Sequence, residues 1–372
     1  MSKDSSRRRF LRSLTLAGAG SAALGGDAGR SKNARIPGCP SEPVWPPRRY
    51  QKPHGGRSKV ALIHGQDRRR MVHDALTAID TEILPLLGEK KYVLIKPNVV
   101  SAWNPLASTH ADTLRGILDY LETRWWGPIV IAESSAEDTL LGFRNHNYYT
   151  VAGERKNQDI RLVDFNQEGD YHAIHLANAD IHMQRVRLAA RLFDPDAFIF
   201  CSAIMKTHNC VVATLSVKNM VIGAPLRNRP GDSVEWTDKW RYHCGVRQMN
   251  YDMFLTAKEL EPFWGAAIID GFVGMEGNGP TEGTAVDSRI VIASTDFIAA
   301  DRVALEAMSI DPSWLGYLTF CGQAGLGNYD LGNIDVWGTD VQAVKRTYRL
   351  HDTVAQQLKW MGPLPCDIGQ LP

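Results

Sequence analysis

The chain has 372 residues, 44% hydrophobic and 22% charged, enough for one large globular domain or two modest ones; collagen, coiled coil and wholesale disorder are excluded. Lysine and arginine number 42 against 41 acidic residues, a formal net charge of +1, so a nucleic-acid binder that depends on a broad cationic face is not expected. No run reaches the roughly 18 apolar residues of a spanning helix, and six cysteines in a chain this long do not make a disulfide scaffold.

The chain opens Ser6-Arg7-Arg8-Arg9-Phe10-Leu11-Arg12, followed by a mildly apolar run from Leu14 to Leu24 rich in Ala and Gly. A basic start before a short, weakly apolar segment reads as an export signal over residues 1–28, too short and glycine-rich to serve as a stable membrane anchor. Arg7-Arg8 with Phe10 and Leu11 resembles the twin-arginine signal. That resemblance implies the twin-arginine export machinery as a partner, passage of an already folded chain, and a periplasmic or other extracytoplasmic destination. Cleavage is expected between Ala23 and Ala28. Residues 29–56, with Ile36-Pro37-Gly38 and Trp45-Pro46-Pro47, read as an extended Pro/Gly/Arg-rich tether.

Residues 57–372 alternate short apolar runs with helical periodicity. Lys59–Ile63, Tyr92–Ile95, Ile129–Ala132, Ile160–Phe165, Ala197–Cys201, Ala266–Ile269 and Ile290–Ala293 read as strands. Val72, Leu76, Ile79 and Ile83 form one helical stripe. Leu114, Ile117, Leu118 and Leu121 form another, with Thr109 and Asp112 in capping-box spacing ahead of it. The expected fold is α/β, a mostly parallel sheet with helices on both faces. Tyr171–Leu188 reads as an antiparallel excursion, and Pro225–Trp240 as a long loop or lid.

In open parallel sheets ligands sit beyond the carboxyl ends of the strands. Four expected strands end there in polar groups: Lys96-Pro97-Asn98, Glu133-Ser134, Lys206-Thr207-His208 and Asp270-Gly271. Lys96, emerging from an apolar run, suits an anion or a base role, or a structural ion pair with Glu133. Thr109 and His110 start a helix whose free N–H groups favour an anion. Lys206 and His208, two apart in an extended segment, point the same way, with Cys210 next in phase. His208, Cys210, His243 and Cys244 are candidate metal ligands, although no CxxC or HxxxH spacing supports them. Lys218-Asn219 and the glycine-laced loop with Glu276 and Asn278 are candidate binding elements; no GxxxxGK[ST] or GxGxxG fingerprint stands between a strand and a helix. Asp296 can cap a helix, and Asp301 on that helix's apolar stripe needs a partner, either a lysine or the site itself.

Taken in order, Ile95-Lys96-Pro97-Asn98, Thr109-His110, Lys206-Thr207-His208 with Thr214, Lys218-Asn219 with Gly223, Asp270-Gly271, Met275–Pro280, Ser294-x-Asp296 to Asp301 and Gly325-Leu326-Gly327 resemble the DUF-362 family over about residues 58–338. The resemblance implies a domain of unknown function. Some members carry ferredoxin-like cysteine clusters, which the scattered Cys39, Cys201, Cys210, Cys244, Cys321 and Cys366 do not match.

Three functions compete. The first is an acid–base enzyme (isomerase, racemase or lyase type) on an anionic small molecule. Lys96, Lys206 and the helix start at Thr109 would hold the anion, with Asn98, Thr207, Lys218 and Asn219 assisting. His208 or His110 would move the proton, oriented by Glu133 or Asp270. The second is a non-catalytic anion or cofactor carrier, and the third a metal- or redox-cofactor enzyme. No particular cofactor is specified. Lys96, Glu133, Lys206, His208 and Asp270 are expected around one pocket.

Overall fold

The structure, a computed structural model, describes residues 56–178, 180–229 and 232–362. The expected export signal, all of the expected tether before Gly56, and Cys39 and Cys366 lie outside the described residues. The elements below all fall in the unit Arg48–Pro372.

The strands are β1 (Ser58–His64), β2 (Tyr92–Lys96), β3 (Ile129–Glu133), β4 (Ile160–Asp164), β5 (Tyr171–Ala177), β6 (Met183–Ala189), β7 (Ala197–Thr207), β8 (Ala213–Thr214), β9 (Trp264–Glu276), β10 (Thr284–Val286), β11 (Ile290–Ser294) and β12 (Ile334–Gly338). The described helices of eight residues or more are α1 (Arg68–Ala78), α2 (Asp80–Leu87), α3 (Ala111–Glu122), α4 (Ser216–Gly223), α5 (Val246–Leu260), α6 (Phe297–Ala307) and α7 (Gly316–Gln323).

The main sheet runs β12-β1-β11-β9-β7-β2-β3-β4, with β8 on β7 and β10 on β9. From β9 through β7, β2 and β3 to β4 every pairing is parallel. β11 is antiparallel to both β9 and β1. Alternation sends Val93, Ile95, Ile131 and Phe200 to the face covered by α1–α3. Leu94, Ala132, Cys201 and Ile269 go to the face covered by α4–α7. The expected mostly parallel sheet between two helical layers is therefore observed. β5 and β6 pair antiparallel, Tyr171 opposite Ala189, as the separate excursion.

Three local expectations are corrected. β7 and β9 extend beyond Cys201 and Ile269, because Ser202, Lys206, Thr207 and Asp270 remain buried among neighbouring elements although polar. The stripe from Val72 to Ile83 is two helices joined at Ile79, all four residues buried. α3 is capped by His110, whose ring accepts from the Asp112 amide, not by Thr109.

From β2 the chain proceeds through β3 to β4 at one edge, then returns to β7 on the other side of β2. That reversal makes a switch point between β2 and β7, where an open α/β sheet leaves a crevice at the carboxyl ends of its strands.

Candidate active site

A recess lies at those strand ends, with an empty volume of about 420 Å3, open mouth included. Lys206, Lys218, Lys239, Glu133 and His208 line it; Lys96, expected around it, is fully buried against Glu133 and does not line it. Three lysines thus share the recess with a single carboxylate. Lys96 is the last residue of β2, and its Nζ donates to Glu133 Oε2 and Oε1 at 2.9 and 3.1 Å and to Asn219 Oδ1 at 3.2 Å. Asn98 Nδ2 donates to the same Asn219 oxygen at 3.0 Å. Asn98 Oδ1 in turn accepts from Lys206 Nζ at 2.7 Å, and Lys206 also donates to the Ala107 carbonyl at 2.7 Å. This chain of bonds joins the ends of β2, β3 and β7 to α4. The Lys96–Glu133 ion pair, anticipated as the structural alternative, is buried against the recess and meets it through Glu133.

The end of α4 rests on that pair. A Cβ on Gly223 would lie 2.0 Å from Lys96 Nζ and 3.0 Å from Glu133 Oε1, so only glycine admits the approach. The start of α4 is held by Asp301, whose carboxylate accepts from Ser216 N, Ser216 Oγ and Val217 N at 2.8, 2.5 and 3.1 Å. The partner Asp301 needed is therefore a helix start, neither a lysine nor the recess. Asp296 caps α6 as expected, accepting from Ile298 N and Ala299 N.

Burial dominates the electrostatics. It pushes Lys206 well below the usual lysine range, with Lys218 adding repulsion and Glu133 opposing it. Burial lowers Lys218 to about 8, Cys210 opposing and Lys96 assisting, and lowers Lys239 to about 7 against the attraction of Glu133. Lys218 Nζ, on a side chain only 6% exposed, has no hydrogen-bond or ion-pair partner among the described residues. The Thr214 hydroxyl at the same recess is buried and unpartnered. Both are groups that a ligand would satisfy.

Burial also holds His208 well below its usual range, followed by repulsion from Lys218. Its Nδ1 accepts from the Cys210 amide at 3.0 Å, so the neutral ring carries its proton on Nε2. In that state His208 is a hydrogen-bond donor and not a base.

Other candidates have different neighbours. Asp270 does not line the recess; strand alternation turns it to the α1–α3 face, where it accepts from Thr113 Oγ1 at 2.6 Å and pairs with Arg68 at 3.1 Å. The His110 ring occupies the start of α3 through Asp112 N, at 3.1 Å, in place of an anion. Thr109 Oγ1 bridges the Ser202 carbonyl and the Asn98 amide, and Thr207 Oγ1 bonds the Gly277 carbonyl. Glu276 and Asn278 fasten the 349–352 segment through Arg349 N and Asp352, while Pro280 reaches the recess.

The four metal candidates do not converge: among the described residues, no group of three His, Cys, Asp or Glu is placed to hold a metal ion. His243 Nδ1 is engaged by the Lys239 carbonyl, and the Cys244 thiol is exposed. No helix in the described residues is long and apolar enough to cross a membrane.

Lys239 was not anticipated. It comes from within Pro225–Trp240, a segment bridged to β6 at Pro225 and Leu188 and to itself at Arg227 and Thr237. Its Nζ donates to the Ile222 carbonyl at 2.8 Å. The sequence signal was Thr237, which caps the short turn Asp238–Tyr242.

The profile described as a domain of unknown function, DUF362, matches residues 93–306. A thylakoid-associated protein of Synechocystis is 26% identical over 262 residues, 68% of this chain and 75% of that protein. Two solved structures are similar. One, from Thermotoga maritima, has TM-score 0.35 and 9% identity and covers 57% of this chain and 52% of its own. The other is the lactate racemase apoprotein of Thermoanaerobacterium thermosaccharolyticum, TM-score 0.40 and 13% identity, covering 69% and 58%. The chain thus matches less than two thirds of either solved structure, and at those scores neither likeness bears on activity.

Proposed function

Because this chain belongs to the DUF362 family, whose domain has no assigned activity, we propose its function from the recess: an enzyme of isomerase, racemase or lyase type that binds a small carboxylate and moves a proton beside it. The observation that carries this reading is the pair Lys218 and Lys239, at about 8 and about 7 in one recess. Neither makes an ion pair with a carboxylate among the described residues. An incoming anion supplies the missing negative charge, and Lys206 and the Thr214 hydroxyl stand beside it. A group that titrates near the working pH is matched to proton transfer. A carrier needs only fixed cations, which an amine at about 7 is not. Lys239 is therefore assigned the proton, and His208, protonated at Nε2, a hydrogen bond to the ligand. Glu133, already bonded to Lys96, fixes the frame.

The test incubates protein from its own host with a panel of small 2-substituted carboxylates in 2H2O and follows exchange at the carbon beside the carboxylate by NMR. Exchange is expected. Lys239→Met should slow it by about 100-fold or more while changing carboxylate affinity less than tenfold. Binding without exchange would make the protein a carrier, and neither binding nor exchange would remove the reading.

We also propose that the chain is exported by the twin-arginine route, on the strength of Arg7-Arg8 and the apolar run to Leu24. Extracytoplasmic protein should carry a new N-terminus between Ala23 and Ala28. Finding the protein only inside the cell, with its N-terminus intact, would refute export.

A further inference from the structure

We propose that Lys218 is a nucleophile that captures a 2-oxo-carboxylate as an imine. This rests on the reading that the recess holds a small carboxylate, and it adds the substrate's second functional group and the residue that attacks it.

Three observations combine. Lys218 is nearly buried, lines the recess and has no partner among the described residues, so nothing must be broken before its lone pair is used. The carboxylate that lines the recess, Glu133, is occupied by Lys96 and the Ser134 amide and makes no ion pair with Lys218. Lys206 stands in the same recess and Lys96 repels the amine from beside it, and an amine that is desolvated and crowded in this way keeps more of its neutral, nucleophilic form. Lys218 also sits in the first turn of α4, which Asp301 ties to α6, so the amine is offered from a fixed position.

The chemistry balances within the recess. The Lys218 nitrogen attacks the carbonyl carbon of the oxo acid, and the nitrogen–carbon bond forms as the carbonyl π pair moves to oxygen. That oxygen receives one proton from the ammonium nitrogen and a second from Lys239, then leaves as water, giving the carbon–nitrogen double bond. The His208 Nε2–H and the Thr214 hydroxyl are donors available to the oxygen. Lys206 holds the carboxylate. The protonated imine withdraws electrons from the neighbouring carbon, which is what removal of a proton there requires. Hydrolysis reverses the sequence, and no oxidant or reductant is consumed.

The experiment adds sodium borohydride to the full-length protein with pyruvate. Propanoate, which has the carboxylate and no carbonyl, serves as competitor, and acetone, which has the carbonyl and no carboxylate, as control. Peptide mass spectrometry should find one modified residue, Lys218, heavier by pyruvic acid less one oxygen atom. Propanoate should suppress the label, and acetone should give less than a tenth of it. Lys218→Arg, which removes the nucleophile, should abolish the label. Label on Lys239 or Lys206, label spread evenly over surface lysines, or no label while propanoate binds would overturn the imine and leave the carboxylate reading standing. If neither pyruvate nor propanoate binds, the carboxylate reading itself fails. Mapping on the unaltered protein decides the matter even if Lys218→Arg does not fold.

Discussion

Gly223 distinguishes two opposing effects at the scale of one residue. Alanine is the better helix former by about 1 kcal/mol, so at an open position Gly223→Ala would stabilise α4. Here the added methyl meets Lys96 Nζ at 2.0 Å. Breaking a buried, hydrogen-bonded ion pair outright costs about 3–5 kcal/mol, and displacing the Lys96 tip incurs a share of that cost that opposes the helix gain. Gly223→Ala should lower unfolding stability in urea, by up to about 4 kcal/mol if the pair is fully broken, and weaken carboxylate binding. A more stable variant would show that the Lys96–Glu133 pair yields freely to α4. The tautomer of His208 is decided at the same scale, by one amide. The spacing of Lys206 and His208 suggested that both side chains face one way, and both line the recess. It carried no information on which ring nitrogen would meet the Cys210 amide, because that depends on the turn after β7.

Elements explain which polar residues were legible. Lys96 and Glu133 were readable because each ends an apolar run whose neighbours fix its place at the sheet's carboxyl edge. Asp270 follows the same kind of run, yet β9 continues past it to Glu276, and the period of two assigns it to the opposite face. A strand that carries a buried acid looks, in sequence, like a strand that has ended. His110 marked a true helix start, but its own ring fills the amide site that an anion would use. Lys239 stayed hidden for the converse reason: a polar, Pro- and Gly-bearing stretch has no hydrophobic period, and its position follows from long-range bonds. The Asp238 carboxylate binds the Arg187 amide and guanidinium on β6, and the Lys239 amine meets the Ile222 carbonyl at the end of α4. Asp301 was legible as an acid in need of a partner; that the partner is the first turn of α4 required the packing of α6 against it.

Across the whole molecule a net charge of +1 conceals a local excess of cations in one recess, and the consequence is a pH dependence of stability. Lys206, Lys218 and Lys239 all have folded-state values below the ordinary 10.5. Between pH 7 and 9 the unfolded chain keeps its lysine protons while the folded protein releases those of Lys218 and Lys239. Stability must therefore rise with pH across that window, approaching about 1.4 kcal/mol per pH unit for each lysine that has lost its proton. The penalty for burying the amines is fully present below their folded-state values and is relieved above them. The window closes near pH 9, because burial holds Cys201 protonated up to about 12 and pushes the Cys321 thiol up as well, and those groups act in the opposite direction. Urea unfolding at pH 7, 8 and 9 should show the rise. Lys239→Met should make it shallower, and saturating propanoate should flatten it, since a bound anion restores the protons the amines otherwise lose. A stability that is level or falling over this range in the unliganded protein would mean that the amines retain ordinary basicity, and with it neither the proton assigned to Lys239 nor the nucleophile assigned to Lys218 would stand.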